Sequence, residues 1–144
     1  MGSIQYLHSD AWILLAIILS GGDRGADIAD LISTANYINH AILCYEELDG
    51  ALMRLILGNY IFEQNARFYP SVKILERYGR KAAKGKLGID TALEDISKWI
   101  GAKAWSKSAD PHPANEFHSY GNVDRDTFSR AVQSCLGRNP MQDP

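Results

Sequence analysis

At 144 residues, with 46% hydrophobic and 22% charged side chains and a formal net charge of −2, the chain has the length and balance of one ordinary globular unit. The net charge by itself points to no class of partner. The distribution of charge is more telling: residues 1–70 carry three basic and eight acidic side chains, whereas residues 71–144 carry twelve basic and nine acidic ones.

In chain order, Ser9 and Asp10 are helix-start residues, because their side chains accept hydrogen bonds from free backbone N–H groups. The apolar run from Trp12 to Leu19 that follows is too short to span a bilayer, and no Lys or Arg precedes it as in a signal peptide. It predicts a buried central helix ended by Gly21-Gly22. Cytoplasmic location and the absence of a membrane partner are the resulting expectations.

Gly25 opens a second helix, with Ile28, Leu31, Ile32 and Ala35 at helical spacing and Asp27 and Asp30 in the favourable first turn. The stretch from Asn36 to Leu43 fits a helix end, a turn or a short strand equally well. A third helix is predicted from Tyr45 to Leu57, with Gly58 as its stop and Leu48, Leu52, Leu55 and Ile56 on the inner face. Its outer face is expected to offer Glu46, Gly50, Met53, Arg54 and Leu57.

Aromatic and β-branched residues then flank Asn65-Ala66, which predicts a hairpin of Tyr60–Gln64 with Arg67–Tyr69, closed by Pro70. The turn lacks the glycine that a tight primed turn favours. Ser71 is placed to cap a fourth helix to Lys84, with Ile74, Tyr78 and Ala82 inward and Lys73, Arg77, Arg80, Lys81 and Lys84 outward. After a break at 84–88, Thr91 and Glu94 have capping-box spacing for a fifth helix with Ala92, Ile96, Trp99 and Ile100 on its apolar side. Residues 106–121 read as a loop. A last helix begins at Asp124, with Val123 and Phe128 spaced as a hydrophobic staple, Phe128, Ala131, Val132, Cys135 and Leu136 on one face, and Gly137 as its stop.

The order helix, helix, helix, hairpin over residues 10–70 resembles the winged helix-turn-helix superfamily. The segment from Tyr45 through Gly58-Asn59-Tyr60-Ile61 carries the likeness, with Pro70 and the helix after it. The expected fold class is mainly α with a small β-hairpin: a winged helix with its following basic helix over 1–88, and a C-terminal helical extension over 89–144.

The resemblance implies a third helix in the major groove and cations on helix and wing. Those positions hold Glu46, Glu47 and Asp49 at the helix start, and only Arg54 and Arg67 as cations, which suits phosphate poorly. The primary expectation is therefore a non-enzymatic protein-binding module, regulatory, inhibitory or self-associating, using Glu46, Glu47, Asp49, Gly50, Met53, Arg54 and Leu57. An acidic first half also suits a decoy for a basic protein. The alternative is a DNA-binding regulator whose anion-binding residues are Lys73, Arg77, Arg80, Lys81 and Lys84.

No Gly-rich phosphate loop follows a strand, and neither GxSxG nor HExxH occurs, so no catalytic residue and no cofactor is expected. Cys44 and Cys135 sit in apolar settings and are expected as buried thiols, with a disulfide between them left open, and Cys44 is a poor nucleophile beside Glu46 and Glu47. His112, His118, Asp110 and Glu116 share one polar loop without the spacing of a standard metal site, and His40 reads as a structural residue, so no metal is expected.

Overall fold

The computed structural model describes residues 4–39, 44–102 and 125–137. The chain is mainly helical, with one two-stranded antiparallel sheet.

The first helix, α1 (His8–Ser20), is buried on every side from Ser9 to Ile18. Asp10 serves the helix start from its third position, accepting the Leu7 N–H at 3.0 Å. Fully burying each large aliphatic side chain stabilises by roughly 1.5–3 kcal/mol, so Ile13, Leu14, Leu15 and Ile17, all at 0% exposure, make α1 the axis on which the rest is built. Gly21 ends it. A side chain there would collide with the backbone of Gly25 and Ala26, so the chain can fold back closely only with glycine at this position.

A single 3₁₀ turn (Gly22–Arg24) leads to Ala26, which pairs with Phe68 through two backbone hydrogen bonds of 2.8 and 2.9 Å. This isolated bridge adds a third extended segment beside the hairpin. Helix α2 (Ile28–Asn39) is capped by the Asp27 carboxylate, which accepts the Asp30 N–H at 2.8 Å. Ile28, Leu31, Ile32 and Ala35 are buried as their spacing predicts, and the Trp12 indole N–H bonds the Ala35 carbonyl at 2.7 Å, locking α1 to α2.

Helix α3 (Tyr45–Leu57) has the predicted bounds. Glu47 accepts the Cys44 N–H at 3.0 Å, and Gly58 donates back to Arg54 O at 3.0 Å. Strands β1 (Ile61–Gln64) and β2 (Arg67–Pro70) pair in the register Ile61↔Pro70 to Gln64↔Arg67. Asn65 and Ala66 both have positive φ, 55° and 62°, so the two-residue turn is of the primed kind without a glycine. Ile61, Phe68 and Pro70 face the core, while Phe62 stacks on Tyr69 outside, ring centroids 5.1 Å apart.

The fourth helix, α4, covers residues 72–83 and changes pitch midway: Val72–Ile74 is α-helical, Leu75–Gly79 forms a π-helical turn, and Arg80–Ala83 returns to α. Ser71 makes no side-chain cap, contrary to expectation; its Oγ is buried without a hydrogen bond, while its N–H bonds Tyr60 O at 2.8 Å. Gly85, at φ 66°, closes the helix with bonds from Gly85 N–H to Ala82 O and from Lys86 N–H to Lys81 O.

Helix α5 (Ile89–Ile100) starts two residues before the predicted Thr91 cap. Gly88 takes the cap position, so Thr91 lies inside the first turn, and Glu94 instead pairs with Lys98 at 3.1 Å. Ala92, Ile96 and Ile100 point inward against α1. The last helix, α6 (Arg125–Gly137), packs on α2, and Phe128 meets Tyr45 of α3 edge to face at 5.7 Å. The helix includes Gly137, which was expected as its stop. The expected loop at 106–121, the Val123 staple and the side chains of Cys135 and Leu136 lie outside the described residues.

Candidate binding surfaces

The outer face predicted for α3 is only partly one: Leu57 is exposed, but Gly50 and Arg54 are buried. Arg54 is 3% exposed and turns toward α1, where its guanidinium grips the Asp10 carboxylate from Nε at 2.7 Å and from Nη2 at 2.8 Å. The cause is electrostatic: Asp10 is fully buried, and a buried carboxylate without a cation is costly, so α3 supplies one. Asp49, at 1% exposure, and Gly50 are buried too.

The acids at the start of α3 are engaged. Glu47 holds the Cys44 N–H, and Glu46 lies 3.4 Å from Arg125 of α6, whose guanidinium also covers the Tyr45 ring at 4.2 Å. Helix α6 therefore covers the leading end of α3. Of the seven residues expected to bind protein together, Glu46, Glu47 and Met53 are half-buried, Leu57 is exposed, and Asp49, Gly50 and Arg54 belong to the interior.

Cys44 is exposed and free rather than buried as expected. Its thiol is pushed up to about 11, first by surrounding protein that disfavours the thiolate and then by the acids at Glu47 and Glu46. It is a weak nucleophile, as its neighbours suggest.

The basic face on α4 holds its predicted orientation. Lys73, Arg77, Arg80, Lys81 and Lys84 are all exposed, with Lys86 just beyond. Two of these cations are tied to aromatic rings. Lys73 Nζ lies 4.4 Å from the centre of the Tyr60 ring, and the Arg77 guanidinium lies 4.8 Å from that of Trp99. Tyr6, Tyr60, Trp99 and Tyr78 form a continuous run of edge-to-face and tilted contacts beneath them.

Arg77 also joins a three-membered network across α4 and α5. The Tyr78 hydroxyl donates to Asp95 at 2.6 Å, Arg77 Nε donates to the same hydroxyl at 3.1 Å, and Arg77 reaches both Asp95 oxygens at 3.4 Å. Burial, then the bond to Asp95, pushes the Tyr78 phenol up to about 12. The Asp95 carboxyl is held below its ordinary value, first by the Tyr78 hydroxyl and then by Arg77.

Two open cavities flank the π-helical turn. One, of about 540 Å³, lies between the Gly21–Arg24 corner and Leu75, Gly79 and Arg80. The other, of about 530 Å³, lies between the end of α4 and the start of α5, walled by Arg77, Lys81, Lys86, Gly88, Thr91 and Asp95. A π-helical turn is rare and concentrates at functional positions; here it contributes Leu75 and Gly79 to one cavity and Arg77 and Tyr78 to the other.

Among the described residues no group of three or more His, Cys, Asp or Glu side chains could hold a metal, and no helix is long and apolar enough to cross a membrane. His40, Asp110, His112, Glu116 and His118 lie outside the described residues. Comparison with protein-family profiles, curated proteins and solved structures found no match.

Proposed function

We propose that the chain is a non-enzymatic winged-helix binding module that docks an acidic protein surface through α4 and the root of the hairpin. The fold reading is supported by the order α1, Ala26, α2, α3, β1, β2, with Ala26 paired to Phe68 of β2, which is the strand arrangement a winged helix uses. Fold alone assigns no partner.

The observation that carries the partner reading is the exposure of large apolar side chains close in sequence to the exposed cations of α4, with the acids Glu63 and Glu76 exposed among them. Val72 is 70% exposed, Leu57 60% and Phe62 46%, and they flank the hairpin root beside Lys73, with Arg80, Lys81 and Lys84 following along α4. Apolar anchors ringed by charge suit a protein interface. The basic residues then steer an acidic partner.

DNA binding is the second reading, favoured by the same row of cations. It lacks a reading helix: the only cation of α3, Arg54, is bound to Asp10 inside the protein, and α6 covers the end of α3 that would enter a groove.

The test is affinity capture and cross-linking with the full chain against a variant reversed at Lys73, Arg80, Lys81 and Lys84 to Glu. A protein cross-linked at Val72 or Phe62 in the wild type and lost from the variant supports the reading. Retention of every cross-linked protein by the variant contradicts it.

A further inference from the structure

Strand β1 has one neighbour and one open edge. Among the described residues only β2 pairs with it, and the Ala26 bridge lies on the far side of β2. The hydrogen bonds show which backbone groups face the open side. Phe68 spends both its N–H and its carbonyl on Ala26, at 2.9 and 2.8 Å, so its pair with Glu63 is one of the non-hydrogen-bonded pairs of the hairpin. Tyr60 accepts the Ser71 N–H at 2.8 Å, which puts Tyr60, Phe62 and Gln64 on the bonded side, because antiparallel pairs alternate. The N–H and C=O groups of Ile61 and Glu63 therefore point away from β2, toward the open edge.

Such a row of main-chain groups is a template for another strand. The side chains on it fit a second copy of the same edge. Phe62 is 46% exposed, and its ring stacks on Tyr69 at 5.1 Å. Antiparallel pairing about a two-fold axis at Phe62 sets Ile61 opposite Glu63 of the second copy and Phe62 opposite its own counterpart. The Ile61–Glu63 pairs then exchange backbone bonds. The Phe62 rings meet in a non-hydrogen-bonded pair, where side chains approach most closely. Each Tyr69–Phe62 stack thereby continues into the other copy.

Charge favours this partner over an unrelated strand. An acid on an edge strand ordinarily opposes pairing. In the two-fold register Glu63 arrives opposite Ile61, one residue from Tyr60, whose ring centre lies 4.4 Å from Lys73 Nζ. Glu63 and Lys73 are both exposed. Each copy supplies one acid and one cation, so the symmetry makes the contact twice.

We propose that two copies of this chain pair antiparallel along β1, joining their two-stranded sheets into one, with Glu63 of each copy meeting Lys73 of the other. The pairing goes beyond the docking of an acidic protein and does not depend on it. It takes Phe62 and Lys73 out of that surface and leaves Val72, Arg80, Lys81 and Lys84 exposed.

The test is sedimentation velocity of the full chain from micromolar to millimolar concentration, with amide chemical shifts followed over the same series. The wild type passes from monomer to dimer, and the shifts centre on residues 61–63. Glu63→Lys and Lys73→Glu each weaken the dimer by about fivefold or more, the scale of an exposed ion pair made twice. The two changes together in one chain restore it. Arg80→Glu, a charge change of the same size farther along α4, leaves it unchanged. A monomer at every concentration, single reversals without effect, or a double variant no better than either single one overturns the proposal. So does a dimer whose shifts lie along α2 or α4 instead of β1.

Discussion

Arg54 and Asp10 form a two-pronged ion pair inside the protein, 44 residues apart in sequence, with the Asp10 side chain wholly removed from solvent and Arg54 nearly so. The pair joins α3 to the first turn of α1, and the same Asp10 carboxylate accepts the Leu7 N–H. It is not fully satisfied, since Arg54 Nη1 is buried without a hydrogen bond.

Removing one member leaves the other buried and uncompensated. Arg54→Met or Asp10→Leu alone should each destabilise by about 3–5 kcal/mol, and the double variant by much less than their sum. Urea denaturation of the four proteins measures this coupling. Additive losses would show that the pair is not one unit.

The hairpin turn carries backbone strain of a definite kind. Ala66 sits at φ 62°, a left-handed conformation that costs an L-residue with a Cβ roughly 1–2 kcal/mol. Ala66→Gly relieves it, and is expected to raise stability by about 1 kcal/mol after its greater unfolded-state entropy is subtracted. A higher denaturation midpoint with an unchanged slope is the predicted result.

The Tyr78–Asp95–Arg77 network ties stability to pH at both ends. The Asp95 carboxyl is more acidic in the folded chain than its ordinary 3.8, so its contribution is fully present above that value and is lost as pH falls through the lower folded one. The Tyr78 phenol is raised from 10.0 to about 12, so its contribution is present below 10.0 and is lost as pH rises toward about 12. Denaturation midpoints followed into acid should fall less steeply for Asp95→Asn than for the wild type. Phenolate absorbance in alkali should lose its latest-titrating component in Tyr78→Phe.

Cys44 is exposed yet poorly ionised, its thiol pushed up to about 11. Alkylation at neutral pH should be slower than for a free cysteine in an unfolded peptide. Glu47→Gln, which removes a nearby negative charge, should accelerate it. Timed reaction with iodoacetamide followed by mass spectrometry measures both.

Much of the framework was legible in the residues. The bounds of α3 follow from Leu48, Leu52, Leu55 and the Gly58 stop, and α1 is apolar on every side and so had to be central. The inward turn of Arg54 was not legible from helical spacing, which assigns faces by hydropathy and cannot see a partner on another helix. The available signal was Asp10 itself, a carboxylate at the head of a wholly apolar helix with no cation nearby. Ala26 is not legible as a strand, because a single bridge leaves no alternation to read. The capping spacing of Thr91 and Glu94 misled because Gly88 and Ile89 had already begun α5. The basic face of α4 is legible in its orientation, whereas the approach of Lys86 to Lys81 depends on the local closure at Gly85.

On the proposed function, the cations of α4 meet a protein partner and α3 does not read DNA. Anisotropy titration of a mixed-sequence DNA duplex across a salt series tests it most directly. No complex is expected at physiological salt even in the range of non-specific DNA binders, about 10⁻⁴–10⁻⁶ M, because the cation of α3, Arg54, is bound to Asp10 inside the protein. A complex within that range or tighter, its affinity falling steeply with added salt, would contradict this.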